Sequence, residues 1–243
     1  MMTMSLAPAT LPAGQRVYAV GDVHGCADRL AVMHRLIADD LAARPIGDVT
    51  LIHLGDYIDR GENSAGVLDR LMTPWTAPST AVAAPRLIHL MGNHEQMMLA
   101  ALDEGDTDTV LQWLSNGGSD TLASWGVPRR ARPRDWPRNI PAAHIAFLRG
   151  LAVQHQQGGY VFVHAGLRPG VPLERQSRHD MLWIREPFLS WQGELPGVVV
   201  HGHTPEHDVV KRTNRIGVDT GAVMGGVLTC VVLEEDRMGL LRA

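Results

Sequence analysis

The sequence predicts a layered α/β domain, and three observations carry that prediction. Short apolar runs recur, each stopping at glycine or polar residues. Helical patterns fall between them. A chain of 243 residues with 45% hydrophobic content suits one sizeable core better than two domains and a linker. Six runs read as buried strands because they are short and β-branched: RVYAV before Gly21-Asp22, VTLIHL before Gly55-Asp56, RLIHLM before Gly92-Asn93, YVFV before His164, GVVV before His201 and IGV before Asp219. A seventh, VLTCVVLEE, closes a sheet near the C-terminus. Helical patterns cover Arg29 to Ala43, Ser64 to Met72, Glu95 to Asp103, Thr107 to Ser115, Gly118 to Trp125 and Pro141 to Arg149. Residues 1–14 read as a disordered leader and 15–243 as a single domain. In such a fold, functional residues gather beyond the carboxyl ends of strands, which is where every motif below lies.

Composition excludes several classes of function. A formal net charge of −4 and an isoelectric point near 6.3 give no broad attraction to nucleic acid or to an anionic membrane. Any anion must therefore be caught locally. Cys26 and Cys230 are too few for a disulfide framework and read as reduced thiols of a cytoplasmic protein. The first residues lack a basic and then apolar targeting pattern, and no run approaches the roughly 18 apolar residues of a membrane span. One segment breaks the alternation. GVPRRARPRDWPRNIP, residues 126–141, has four prolines and Arg129, Arg130, Arg132, Arg134 and Arg138, and reads as an irregular loop or lid. It is either a grip for an acidic or phosphorylated substrate or a solvated basic loop.

The strand ends carry the chemistry. Asp22 and His24 lie two residues apart, so extended backbone can aim both at one ion. Gly55-Asp56-Tyr57-Ile58-Asp59-Arg60-Gly61 adds two carboxylates and an arginine, Gly92-Asn93-His94-Glu95 an amide and an imidazole, His164-Ala165-Gly166 an imidazole, and His201-Gly202-His203-Thr204 one or two more. Carboxylate, imidazole and amide ligands suit manganese, iron or zinc rather than a thiolate site. Each piece alone is weak, because Gly-Asp after a strand is ordinary turn chemistry and a strand histidine such as His53 or His89 is commonly a core residue. Their order and repetition make the set hard to explain as turns.

GDVHG, GDYIDRG, GNHE, HAG and HGHTP, in that order, resemble the signature of the PPP-type phosphoprotein phosphatases in the calcineurin-like metallophosphoesterase superfamily. The resemblance runs from about Arg16 to Glu234. Within the superfamily the pattern is similar to the lambda-type phosphatases, through GNHEQMML, LWIRE, GHTP and VDTGAV, and to the symmetrical bis(5'-nucleosyl)-tetraphosphatases. It implies a sandwich of two mixed β-sheets flanked by helices, with a dinuclear metal site at the strand carboxyl ends. It assigns one ion to Asp22, His24 and Asp56 and the other to Asp56, Asn93, His164 and His203, with Asp56 bridging. His203 is chosen over His201 because the family histidine directly precedes Thr-Pro. The implied cofactor is a pair of divalent ions, manganese first, with iron or zinc as alternatives.

The implied reaction is in-line attack on a phosphate by a hydroxide bridging the ions. His94 takes the position of the general acid and Asp59 that of its partner, unless Asp59 merely pairs with an arginine. Arg60 and Arg185 match phosphate-binding positions, where a guanidinium grips two oxygens at once. Many protein phosphatases carry arginine before GNHE, where this chain has Met91, as some nucleotide-cleaving relatives have apolar residues there. The expected substrate is a Ser/Thr phosphoprotein. The alternatives are a dinucleoside polyphosphate or capped RNA end, or a phosphate-binding module without turnover. Glu95 reads as a first-turn carboxylate complementing a helix dipole, Cys26 as a small buried residue, and Asn116-Gly117-Gly118 as a cleft wall or a helix-ending turn.

Overall fold

The computed structural model describes residues 2–75 and 84–243. The first of its two sheets contains β1 (Ser5–Leu6), β2 (Gln15–Val20), β3 (Asp48–His53), β4 (Arg86–His89), β10 (Thr229–Glu234) and β11 (Arg237–Arg242). The second contains β5 (Gln154–Gln157), β6 (Tyr160–Val163), β7 (Val198–His201), β8 (Val210–Lys211) and β9 (Arg215–Gly217). Spatial order is β1-β11-β10-β2-β3-β4 in one and β5-β6-β7-β9-β8 in the other. Each holds a parallel block, β2-β3-β4 and β6-β7-β9, with antiparallel neighbours, so both sheets are mixed as the resemblance implies.

Period-two alternation explains the layers. On β2, Val17 and Ala19 enter a core between the sheets with Phe162 and Val200, whereas Tyr18 and Val20 face the helices. There they meet Leu30, Met33, Ile37 and Leu41, one stripe of α1 (Ala27–Ala43), each contributing roughly 1.5–3 kcal/mol by burial. A third core under the second sheet joins Val161, Val163 and Val199 to Leu173, Met181 and Phe188.

All seven expected strands form. Of the four that were not expected, three are polar or very short, β5 being Gln-His-Gln-Gln and β1 and β8 having two residues each; the fourth, β11, is six residues long and pairs with β10 along its whole length. The segment expected to be a disordered leader is ordered instead. Ser5 and Leu6 pair with Met238 and Arg237, Leu11 is buried between the sheets, and the Ala9 carbonyl accepts from Tyr160 Oη at 2.6 Å. Edge pairing and one apolar anchor outweigh the segment's composition. Met1 lies outside the described residues.

The remaining helices are α2 (Ser64–Met72), α3 (Asn93–Asp103), α4 (Thr107–Trp113), α5 (Ser119–Ser124), α6 (Ala142–Arg149) and α7 (Arg178–Trp183). α7 was not expected; the Ser177 hydroxyl caps it by accepting from Asp180 N at 3.0 Å. Between α4 and α5 the Asn-Gly-Gly stretch does break the helix: Gly117, at φ 104° and ψ 8°, is a left-handed kink between two helical pieces, in keeping with a helix-ending turn. The Arg/Pro segment is only partly irregular. Pro133–Arg138 forms a 3-10 helix, and its Trp136 is buried edge-on against Trp113 with ring centroids 5.6 Å apart. Among the described residues no helix is long and apolar enough to cross a membrane.

Candidate active site

Parallel pairing in register places Val20, His53 and His89 side by side, so the segments after β2, β3 and β4 emerge at one edge. The segments after β6 and β7 meet them from the facing sheet, and the Gly202 N–H donates to the His164 carbonyl at 2.8 Å. The backbone is unusual here. Of six described non-glycine residues with positive φ, five are His24, Asp56, Asp59, Arg60 and His203. Left-handed backbone at ordinary residues costs about 1–3 kcal/mol each and persists where the surroundings over-determine it. Gly92 shows how tight the packing is, since a Cβ there would collide with the Asp56 carboxylate and backbone.

Asp56 is the centre of the arrangement. Its carboxylate lies 3.5 Å from His24 Nε2 and 3.4 Å from His164 Nε2. Two groups with donor atoms within 4.8 Å of one another share it: His24, Asp56 and His94 in one, Asp56, His164 and His203 in the other. Asn93 Oδ1 lies 2.9 Å from His164 Nε2 and 3.0 Å from His203 Nδ1. Asp22 Oδ2 accepts from His203 N at 3.0 Å, and its Oδ1 is buried without a hydrogen-bond partner. His94 belongs to the first group by distance alone. Its Nδ1 is paired with the Asp59 carboxylate at 2.7 Å, whereas His24 Nδ1 faces the Ile58 backbone carbonyl at 2.9 Å.

These residues fit a pair of cations. His24 Nδ1 faces the Ile58 carbonyl at 2.9 Å and His164 Nδ1 the Leu54 carbonyl at 3.0 Å, so each ring donates from Nδ1 and keeps its Nε2 lone pair for the centre. With Nδ1 donating to Leu54, His164 Nε2 faces the Asn93 oxygen at 2.9 Å, a contact that either a proton or a cation between them satisfies. The field agrees. Burial alone would lower the His164 imidazole, yet Asp56, Asp22 and neighbouring acids raise it to about 10, and the same negative field attracts a divalent ion.

Residues 15–225 match the family model described as calcineurin-like phosphoesterase. The chain belongs to that family. Calcineurin-like phosphoesterases are hydrolases that use a dinuclear metal site, and the cluster around Asp56 is a metal-binding cluster of that kind. The chain is 32% identical to serine/threonine-protein phosphatase 1 of Salmonella typhimurium over 231 residues, covering 88% of this chain and 90% of the relative. It is 30% identical to the symmetrical bis(5'-nucleosyl)-tetraphosphatase of Acidovorax ebreus over 75% of this chain, which spans 51% of that relative. A solved cold-active protein tyrosine phosphatase shares the fold at TM-score 0.62 and 17% identity, covering 96% of this chain and 81% of that one.

The other residues singled out in this phosphoesterase fall into place as follows. Arg60 is exposed at the rim, with Nη1 2.9 Å from His24 Nε2. Arg185 is exposed and close to His203, whose imidazole burial lowers to about 3 while His164 and Arg185 push the same way. His201 is not at the centre: its Nδ1 meets the Gly202 carbonyl, its Nε2 meets Arg215, and Phe188 packs edge-on against it. Met91 is buried in the helix-side core with Sδ accepting from Arg178 Nη2 at 2.7 Å, so an apolar residue there is a matter of packing. Cys26 is half-buried and its thiol is pushed up by burial. His53 and His89 stack at 5.1 Å and, with His34, line a cavity of about 500 Å³ on the helix side, apart from the cluster.

Sequence reasoning missed four contributors. Glu95 does more than complement a helix dipole: its carboxylate accepts from the backbone N–H groups of Asp56, Tyr57, Ile58 and Gly92 at 2.9, 2.8, 3.3 and 2.8 Å. It thereby ties the Asp56 loop to the start of α3. Asp219, after β9, is buried near the acids and raises the Asp22 carboxyl beyond what burial does. Its signal was the IGV run before Asp-Thr-Gly. Trp113 and Thr121 bind Asp59 and had no local signal.

Proposed function

We propose that the chain is a dinuclear, manganese-preferring phosphomonoesterase acting on Ser/Thr phosphoproteins. Asp22, His24 and Asp56 hold one ion, and Asp56, Asn93, His164 and His203 the other. The single observation that carries the proposal is the His94–Asp59 pair at 2.7 Å, with His94 Nε2 4.0 Å from the Asp56 carboxylate: an oriented proton donor beside a bridging ligand. When bound, two divalent ions supply Lewis acidity that makes water nucleophilic at neutral pH and neutralises phosphate oxygens. The chain's own residues do the rest. Arg60 and Arg185 grip the phosphate from the rim, which fixes its orientation. His94 gives its proton to the departing oxygen, and Asp59 keeps the imidazole charged and aimed. Burial alone would lower that imidazole, but Asp56 and Asp59 raise it above its ordinary value. The phosphoprotein substrate is supported by the Salmonella relative, which this chain matches along nearly its whole length. A cytoplasmic setting fits two unpaired thiols, Cys26 and Cys230.

A second reading, cleavage of a phosphoanhydride in a dinucleoside polyphosphate, is favoured by one observation. Gln96, His179 and Trp183 line a cavity of about 270 Å³, and Trp183 packs 6.4 Å from His203, so a planar base could stack beside the centre. Phosphate release from a phosphoserine peptide, diadenosine tetraphosphate and p-nitrophenyl phosphate, measured with manganese, separates the two. Efficient peptide turnover supports the first reading; turnover of the dinucleotide alone transfers it to the second. His94→Ala should lower turnover roughly 100- to 10,000-fold while metal stays bound. A binding module would lose nothing.

A further inference from the structure

We infer that the helical segment from α4 through α5 positions the proposed proton donor, with Trp113 and Thr121 acting on His94 through Asp59. The inference rests on the reading of His94 as general acid. Asp59 is fully buried and accepts on both oxygens: Trp113 Nε1 lies 3.0 Å from each, Thr121 Oγ1 donates to Oδ1 at 2.6 Å, and His94 Nδ1 to Oδ2 at 2.7 Å. An indole N–H can only donate, so Trp113 holds Asp59 as an acceptor. The backbone is held as well. Asp59 N donates to Thr121 Oγ1 at 2.7 Å and to Ser64 Oγ at 3.2 Å. Arg60 N donates to the Gly117 carbonyl at 3.4 Å, and a Cβ on Gly117 would stand 2.6 Å from Arg60 N.

One helical segment therefore pins two consecutive residues at φ 72° and 68°, one facing the proton donor and the other the rim where phosphate would sit. The left-handed kink at Gly117 makes this possible: it lies between the two donors, and Trp113 before it and Thr121 after it both reach Asp59. Neither side chain reaches the reacting atoms, so both are positioning residues. Their loss frees the carboxylate to rotate, and the imbalance falls on the imidazole it aims.

A merely structural role would slow every substrate alike. A role through the proton donor slows a substrate in proportion to its leaving group's need for a proton. The experiment compares kcat and KM of the manganese-loaded full chain on phenyl phosphate, whose phenolate leaves poorly, and on p-nitrophenyl phosphate, whose leaving group needs little help. Trp113→Phe and Thr121→Val should each lose roughly tenfold in kcat on phenyl phosphate, the usual scale for a supporting hydrogen bond, and about twofold or less on p-nitrophenyl phosphate. KM and bound manganese should not change, and Thr121→Ser should restore the rate. Equal losses on both substrates with an unequal loss in His94→Ala overturn the inference and leave the general acid standing. Equal losses in His94→Ala itself overturn both. Should Trp113→Phe fail to fold, Thr121→Val, which exchanges a hydroxyl for a methyl, decides alone.

Discussion

Asp40 shows how much one half-buried carboxylate organises away from the chemistry. It accepts from Tyr18 Oη at 2.5 Å and from Arg44 Nη2 at 2.7 Å, and it lies 3.5 Å from Arg16, which is 2% exposed and also pairs with Glu234. Burial alone would raise this carboxyl, but the hydrogen bonds from Arg44 and Tyr18 outweigh it and hold it below its ordinary range. A depressed carboxyl contributes stability above its unfolded value and loses it as pH falls through the folded one. Asp40→Asn should therefore cost about 1–3 kcal/mol near pH 7 in denaturant unfolding, and the gap should close as pH falls below about 4. A gap that stays constant into acid would refute the ionic account. Residues of this kind were the hardest to read from sequence. Asp22, Asp56 and His164 announce themselves because glycines and strand ends flank them in a fixed order. Glu95 does not, because three of its four partners lie 37 to 39 residues away, and only folding brings Tyr57 and Ile58 to it.

Elements were legible where length gave periodicity room. α1 and α2 show four buried positions each at helical spacing, whereas α7 has six residues, too few to display a period. Gly117-Gly118 reads as punctuation and is a kink in the structure, but only the approach of Arg60 shows why glycine is needed there. The Arg/Pro segment divides along the same line. Its Trp136 is buried, so Trp136→Ala should cost about 3–5 kcal/mol, the usual range for a truncated core tryptophan. Arg129, Arg130, Arg132 and Arg134 are exposed and make no ion pair with any described residue. Changing all four to Gln should change the stability measured by urea unfolding by no more than about 0.5 kcal/mol per site. A large loss in the quadruple variant would show that the segment is held by charge, not by its tryptophan.

At the scale of the molecule, local pattern gave the α/β class, while the two-sheet arrangement came through resemblance, because nothing in a strand's own residues says which sheet it joins. The expected ligands come from both sheets, so the proposed ions bind the folded chain and not the unfolded one. Manganese at 100 times its dissociation constant should then stabilise the fold by about 2.7 kcal/mol, read as a rise in Tm that chelation reverses. Asp56→Asn should abolish the rise. The stacked sheets also set a schedule. Asp22, His24, Asp56 and Asn93 are synthesised early, but β6 and β7 deliver His164 and His203 only after more than half the chain has been made. If the proposed ligand set holds, a growing polypeptide cannot complete it until about residue 203 has cleared the ribosome, so loading with metal would be a late event in the birth of each molecule, and a prematurely truncated chain would be born without the proposed means to turn over substrate.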